Sequence, residues 1–110
     1  MRKLAALAVV ALFVVAGCGG NGKVTVSDQD QAIAKAMLIF HQKQESRVDL
    51  SNGPCLAEQL PGLPDWAADV AHDPRDPVDN QAANQCSSFQ AGQTHHFVEL
   101  TPEGSLIRTR

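Results

Sequence analysis

Hydrophobic and polar positions divide the chain into four successive regimes. Leu4 to Gly17 is an uninterrupted run of fourteen residues without a charged or polar side chain, preceded by Arg2 and Lys3. It has no polar face on any period, so it does not suit a core helix. At about 1.5 Å per residue it would cover about 21 Å, short of the roughly 30 Å hydrocarbon layer of a bilayer. A charged start, a short apolar middle and small residues at the end are the pattern of an export signal.

The second regime has helical periodicity. After the glycine-rich stretch 19–26, Ser27 or Asp28 can cap a helix running to about Arg47, with Asp28 and Asp30 at its positive end. Taken at 100° per residue, Ile33, Ala36, Met37 and Phe40 form one stripe, which fades into Gln44 and Arg47. Leu38 and Ile39 lie off that stripe on opposite flanks. Either the body wraps the helix broadly or these two residues mark a partner surface.

The third regime is broken. Ser51-Asn52-Gly53-Pro54 reads as a turn, 54–60 as a short helix, and 64–72 as a second one in which Trp66 and Val70 form an inward i,i+4 pair. Residues 72–85 follow no period, and Asp73 and Asp76 each precede a proline that disfavours helical backbone. Such a long irregular segment is expected to be functional or loose. From Cys86 the period becomes two, which predicts strands over 86–89, 94–100 and 105–109. Thr101-Pro102-Glu103-Gly104 suits a type I turn with a glycine bulge, pairing Leu100 with Leu106 and Val98 with Arg108. The expected fold is α+β, a single domain over 27–110: a long N-terminal helix packed on a three-stranded antiparallel meander, with short helices and a tied loop between.

At the end of the first apolar run, Val15-Ala16-Gly17-Cys18 resembles the lipobox of bacterial lipoproteins. The resemblance implies that the Cys18 thiol takes a diacylglyceryl group, that residues 1–17 are removed as a lipoprotein signal peptide, and that 18–26 tether the body. It places the protein in the cell envelope, lipid-anchored to a membrane with its body outside the cytoplasm. Stable anchoring needs two or more acyl chains, such as palmitate, at about 0.8 kcal/mol per buried CH₂. With Cys18 taken by lipid, Cys55 and Cys86 remain as an even pair in an oxidising compartment. A bridge between them would close a loop of about thirty residues, worth roughly 3.5 to 4 kcal/mol. The body, with Gly53-Pro54-Cys55, Asp69-Val70-Ala71-His72-Asp73-Pro74-Arg75, Asn84-Gln85-Cys86 and His96-Phe97-Val98-Glu99-Leu100, is similar to short exported bacterial proteins, which implies an envelope location and no particular activity.

Charge narrows the partners. Without Arg2 and Lys3 the chain keeps seven basic against twelve acidic residues, which excludes nucleic acid as a partner by charge. An acidic body also suits a domain held away from an anionic bilayer. A chain of this size makes one domain with a thin core that benefits from a staple.

The chemistry-bearing side chains form no strong constellation. His72, Asp73, Asp76, His95 and His96, with Asp79 nearby, are the candidate metal ligands. Neighbouring strand residues face opposite ways, so His72, one strand histidine and a loop aspartate would be the plausible set. The carboxylate spacing lacks the calcium-loop pattern. Ser87, Ser88 and Ser105 are not set in a nucleophile motif, and no glycine-rich phosphate loop occurs. The expectation is a non-enzymatic envelope lipoprotein without a cofactor, binding or bracing another envelope component; the alternative is a periplasmic metal-binding module.

Overall fold

A computed structural model describes residues 25–110. The expected signal peptide, Cys18 and most of the expected tether lie outside the described residues. Helix α1 spans Asp28–Glu45, and Ser27 caps it by accepting the Asp30 N–H at 3.1 Å. Asp28 and Asp30 occupy its first turn and Lys43 its last, as the helix dipole favours. It stops two residues before the expected Arg47, which turns the chain with left-handed backbone at φ 58°. Its buried line is Ala32, Ala36 and Phe40, rotated from the expected stripe, so that Ile33 and Met37 sit half-buried on the flanks. Two alanines on that line let the helix lie close to the sheet. Leu38 is 58% exposed, whereas Ile39 packs against the core, so the two off-stripe residues do not share a surface.

The expected three-stranded antiparallel meander is not what forms. Strands β1 (Cys55–Ala57), β2 (Trp66–Val70), β3 (His96–Leu100) and β4 (Leu106–Thr109) make a mixed four-stranded sheet in the order β1-β2-β3-β4. The outer pairs are antiparallel and the central pair, β2 with β3, is parallel. The segments 54–60 and 64–72, expected as helices, supply β1 and β2 instead. Trp66 and Val70 share a face at period two as well as at 3.6, and Ala67 and Ala68 are both fully buried, so β2 shows no alternation. The segment 86–89, expected as a strand, is a one-turn helix, α2 (Ser87–Gln90). A parallel pair needs a crossover connection of a dozen or more residues. That is the role of the irregular 72–85 segment: with α2 it carries the chain from the end of β2 back to the start of β3.

The β3–β4 hairpin keeps the expected Leu100–Leu106 pairing, and its turn closes with Gly104 N–H on the Thr101 carbonyl at 2.9 Å. A register shift between Glu99 and Leu100 moves the rest of the ladder, so Arg108 pairs with Glu99 rather than Val98.

The sheet has two unlike faces. Trp66, Ala68, Val70, Val98 and Leu100 meet α1 together with Leu50, Leu56, Leu60 and Leu63, forming the main core. On the other face a smaller cluster of Ala67, Cys86 and Phe97 is flanked by Cys55 and Phe89. A Cys55–Cys86 disulfide, with an S–S distance of 2.05 Å, fastens the crossover to edge strand β1, as the cysteine count predicts.

Candidate functional site

Strand register builds the second face row by row. Cys55 on β1, Asp69 on β2, Glu99 on β3 and Arg108 on β4 stand side by side across all four strands. In the next row Ala67 pairs with Phe97, and Phe97 exchanges backbone hydrogen bonds with Arg110 at 3.1 and 3.0 Å. Period-two alternation thus places Asp69, Glu99, Phe97, Arg108 and Arg110 on one face. The crossover covers part of it, leaving a cavity of about 170 Å³ to which Arg75, Gln85, Phe89 and Gln90 also contribute. Phe89 and Phe97 meet edge to face at 4.9 Å, and the Arg108 guanidinium lies over the Phe97 ring at 5.8 Å.

The charges around this cavity are unequally satisfied. Glu99 is only 4% exposed, and its Oε1 and Oε2 are paired with Arg108 Nε at 3.3 Å and Arg75 Nη1 at 3.6 Å. Asp69 beside it is different: its Oδ1 is buried and has no hydrogen-bond partner among the described residues. Burial, reinforced by the adjacent Glu99, pushes the Asp69 carboxyl up to about 7, while Arg75 and Arg108 only partly offset the rise. The Arg110 guanidinium forms no ion pair or hydrogen bond among the described residues.

Arg75 is held by the irregular loop, whose hub is the buried Asp79. Asp79 Oδ2 accepts the backbone N–H groups of His72 at 3.0 Å and Asp76 at 2.9 Å, and Oδ1 meets His72 Nδ1 at 2.9 Å. Asp76 in turn caps a 3₁₀ turn over Pro77–Asn80 through the Val78 N–H. Arg75 donates from Nε to Asn80 Oδ1 at 2.8 Å and from Nη2 to the Asp79 carbonyl at 3.3 Å. Burial alone would raise the Asp79 pKa, but the donors from Asp76 and His72 outweigh it and hold the carboxylate below its ordinary value. The same hydrogen bond, accepted by the Asp79 carboxylate, raises the His72 pKa.

The expected metal ligands are divided between the two ends of the sheet. His72 follows the C-terminal end of β2 and is engaged by Asp79, whereas His95 and His96 stand at the start of β3, aligned with Trp66. Four residues of strand, about 13 Å, separate the two ends. His95 Nδ1 lies 2.6 Å from Asp65 Oδ1 and His96 Nε2 lies 3.6 Å from Asp65 Oδ2, so the adjacent histidines converge on one carboxylate. Asp73 is exposed and Asp76 serves as a cap. Among the described residues no group of three or more His, Cys, Asp or Glu side chains is arranged to hold a metal ion. The Ser87 hydroxyl donates to the Glu58 carboxylate at 3.1 Å and the Ser88 hydroxyl to the Glu58 backbone carbonyl at 2.6 Å, and neither donates to a histidine among the described residues.

Sequence reasoning passed over Asp69, Glu99, Arg108 and Arg110 as site residues. The available signal was a glutamate between Val98 and Leu100 in a strand whose hairpin partner carries arginines at 108 and 110. Comparison with known protein families, with curated proteins and with solved structures found no match. Among the described residues no helix is long and apolar enough to cross a membrane.

Proposed function

We propose that the protein is a lipid-anchored, non-enzymatic binding module of the cell envelope, and that its ligand site is the cavity on the second sheet face. The observation that carries this reading, among the described residues, is the Asp69 Oδ1, buried at that cavity without a hydrogen-bond partner, together with the exposed Arg110 guanidinium, which forms no ion pair, beside a Glu99 whose two oxygens are both paired. A buried carboxyl oxygen without a partner costs stability and is rare in folded proteins unless it serves something else. Perturbed titration beside a cleft points the same way. No nucleophile with an adjacent base lines the cavity, so binding is the chemistry its residues support.

Two measurements test the reading. Labelled palmitate supplied to cells is expected to enter the wild-type chain and not Cys18→Ser; an unlabelled wild-type chain would remove the anchor. A small-molecule survey by amide NMR on the full-length protein in zwitterionic detergent is expected to shift Phe97, Glu99 and Arg110 together. Shifts clustered elsewhere would remove the site.

A further inference from the structure

The charge around the cavity specifies its ligand further, on the reading that the cavity is the binding site. Residues 25–110 hold six basic and twelve acidic side chains, yet Arg75, Arg108 and Arg110, half of the basic ones, line this one cavity. Against them stand only Asp69 and Glu99. Glu99 has both oxygens committed to Arg75 and Arg108, which leaves Arg110 as the cation with capacity to spare. Backbone pairing sets Arg110 beside Phe97, and Asp69 stands one row further along the same face. A ligand lying on the two phenylalanine rings therefore meets a guanidinium and a carboxyl group. At about 170 Å³ the cavity is smaller than the roughly 300 Å³ where typical small-molecule sites begin, so it has room for one ring or one branched side chain.

We infer that the cavity binds a small apolar carboxylate, with its body against Phe89 and Phe97 and its carboxylate against the Arg110 guanidinium and the Asp69 carboxyl. A guanidinium recognises a carboxylate through two parallel N–H donors. The Asp69 carboxyl, influenced by Glu99 from β3, Arg108 from β4, and Arg75 and Asp79 from the crossover, keeps its proton to about pH 7 and can donate it to the bound anion. A free acid and the last residue of a peptide present the same group.

Phenylacetate, N-acetylglycyl-phenylalanine and phenethylamine, each titrated into the full-length protein in zwitterionic detergent and followed by amide NMR, separate the cases. Phenylacetate or the acetylated dipeptide is expected to shift Phe97 and Glu99, the stronger of the two naming the source as a free acid or a peptide terminus. Affinity should weaken about tenfold from pH 6 to pH 8 as Asp69 gives up its proton. Asp69→Asn should bind without that pH dependence, and Arg110→Ala should weaken binding about tenfold or more. Phenethylamine binding in preference to either carboxylate, or an affinity that rises with pH, would overturn the anionic ligand while leaving a binding module. If none of the three probes shifts the cavity residues, this inference and the assignment of the cavity both fall.

Discussion

Gly53 and Asp79 are the residues on which the crossover's shape turns. Gly53 has φ +71°, and a Cβ there would come 2.5 Å from Asp79 Oδ1 and 2.8 Å from the Val70 carbonyl oxygen. Gly92 has nearly the same backbone, φ +73°, but open space where its Cβ would be. Gly92→Ala is thus expected to cost about 1 kcal/mol from backbone strain alone, and Gly53→Ala about 2 kcal/mol or more because Asp79 must also shift. Chemical denaturation of both variants checks this, and equal losses would mean that the fit around Asp79 contributes nothing. These two residues also show where sequence reading ends. Asp79 reads as one more loop carboxylate among Asp73 and Asp76, because what distinguishes it is burial against two backbone N–H groups, a property of the folded loop. Likewise Asp69 and Glu99 look like solvent-side charges until strand register brings them together under the crossover.

At the scale of elements, the capped helix, the disulfide and the closing hairpin turn are legible because each rests on local chemistry or on counting. The first strands are not. Trp66-Ala67-Ala68-Asp69-Val70 is alanine-rich, carries no alternation once both faces are covered, and follows Pro64, which suits a helix start equally well. Only long-range pairing with β1 and β3 makes it a strand, and the parallel pairing itself cannot be read from a local pattern. The same pairing gives the disulfide its mechanical sense. Edge strand β1 has three residues and a bulged register with β2, a small contact for an element that also walls the second face. The bridge across 31 residues holds it to the start of α2. Replacing both Cys55 and Cys86 by serine is expected to cost about 2–4 kcal/mol, read as a lower denaturation midpoint. The loss should centre on the second face, with Phe89 and Phe97 becoming mobile before the α1 side. Side-chain NMR would show this, and uniform loosening would contradict an independent second cluster.

For the whole molecule, the titrating groups set a stability profile skewed to mild acidity. The acidic limb comes from Asp79 and Glu58. Burial works against both carboxylates, but the N–H donors of Asp76 and His72 to Asp79, and the backbone and hydroxyl donors of Ser88 and Ser87 to Glu58, hold their pKa values below the ordinary 3.8 and 4.5. Their contributions are therefore complete above those ordinary values and disappear as pH falls through the folded ones. The alkaline limb has the opposite sign. Asp69 keeps its proton to about 7 in the native state, while the unfolded chain releases it near 3.8. Between those values unfolding releases a proton, so the native state loses ground steadily as pH rises and no further above about 7. The loss is on the order of 4 kcal/mol for a rise from 3.8 to about 7. His72, raised by Asp79, acts in the same direction: its contribution is present below the ordinary 6.5 and fades as pH climbs through the higher folded value. The melting temperature is thus expected to be highest near pH 5 and to fall toward pH 8. Asp69→Asn removes the larger part of that fall, so the variant should match the wild type at pH 4 and exceed it by several degrees at pH 8. A variant whose advantage is the same at both values would show that Asp69 is ionised throughout, and the acid proton assigned to the cavity would go with it.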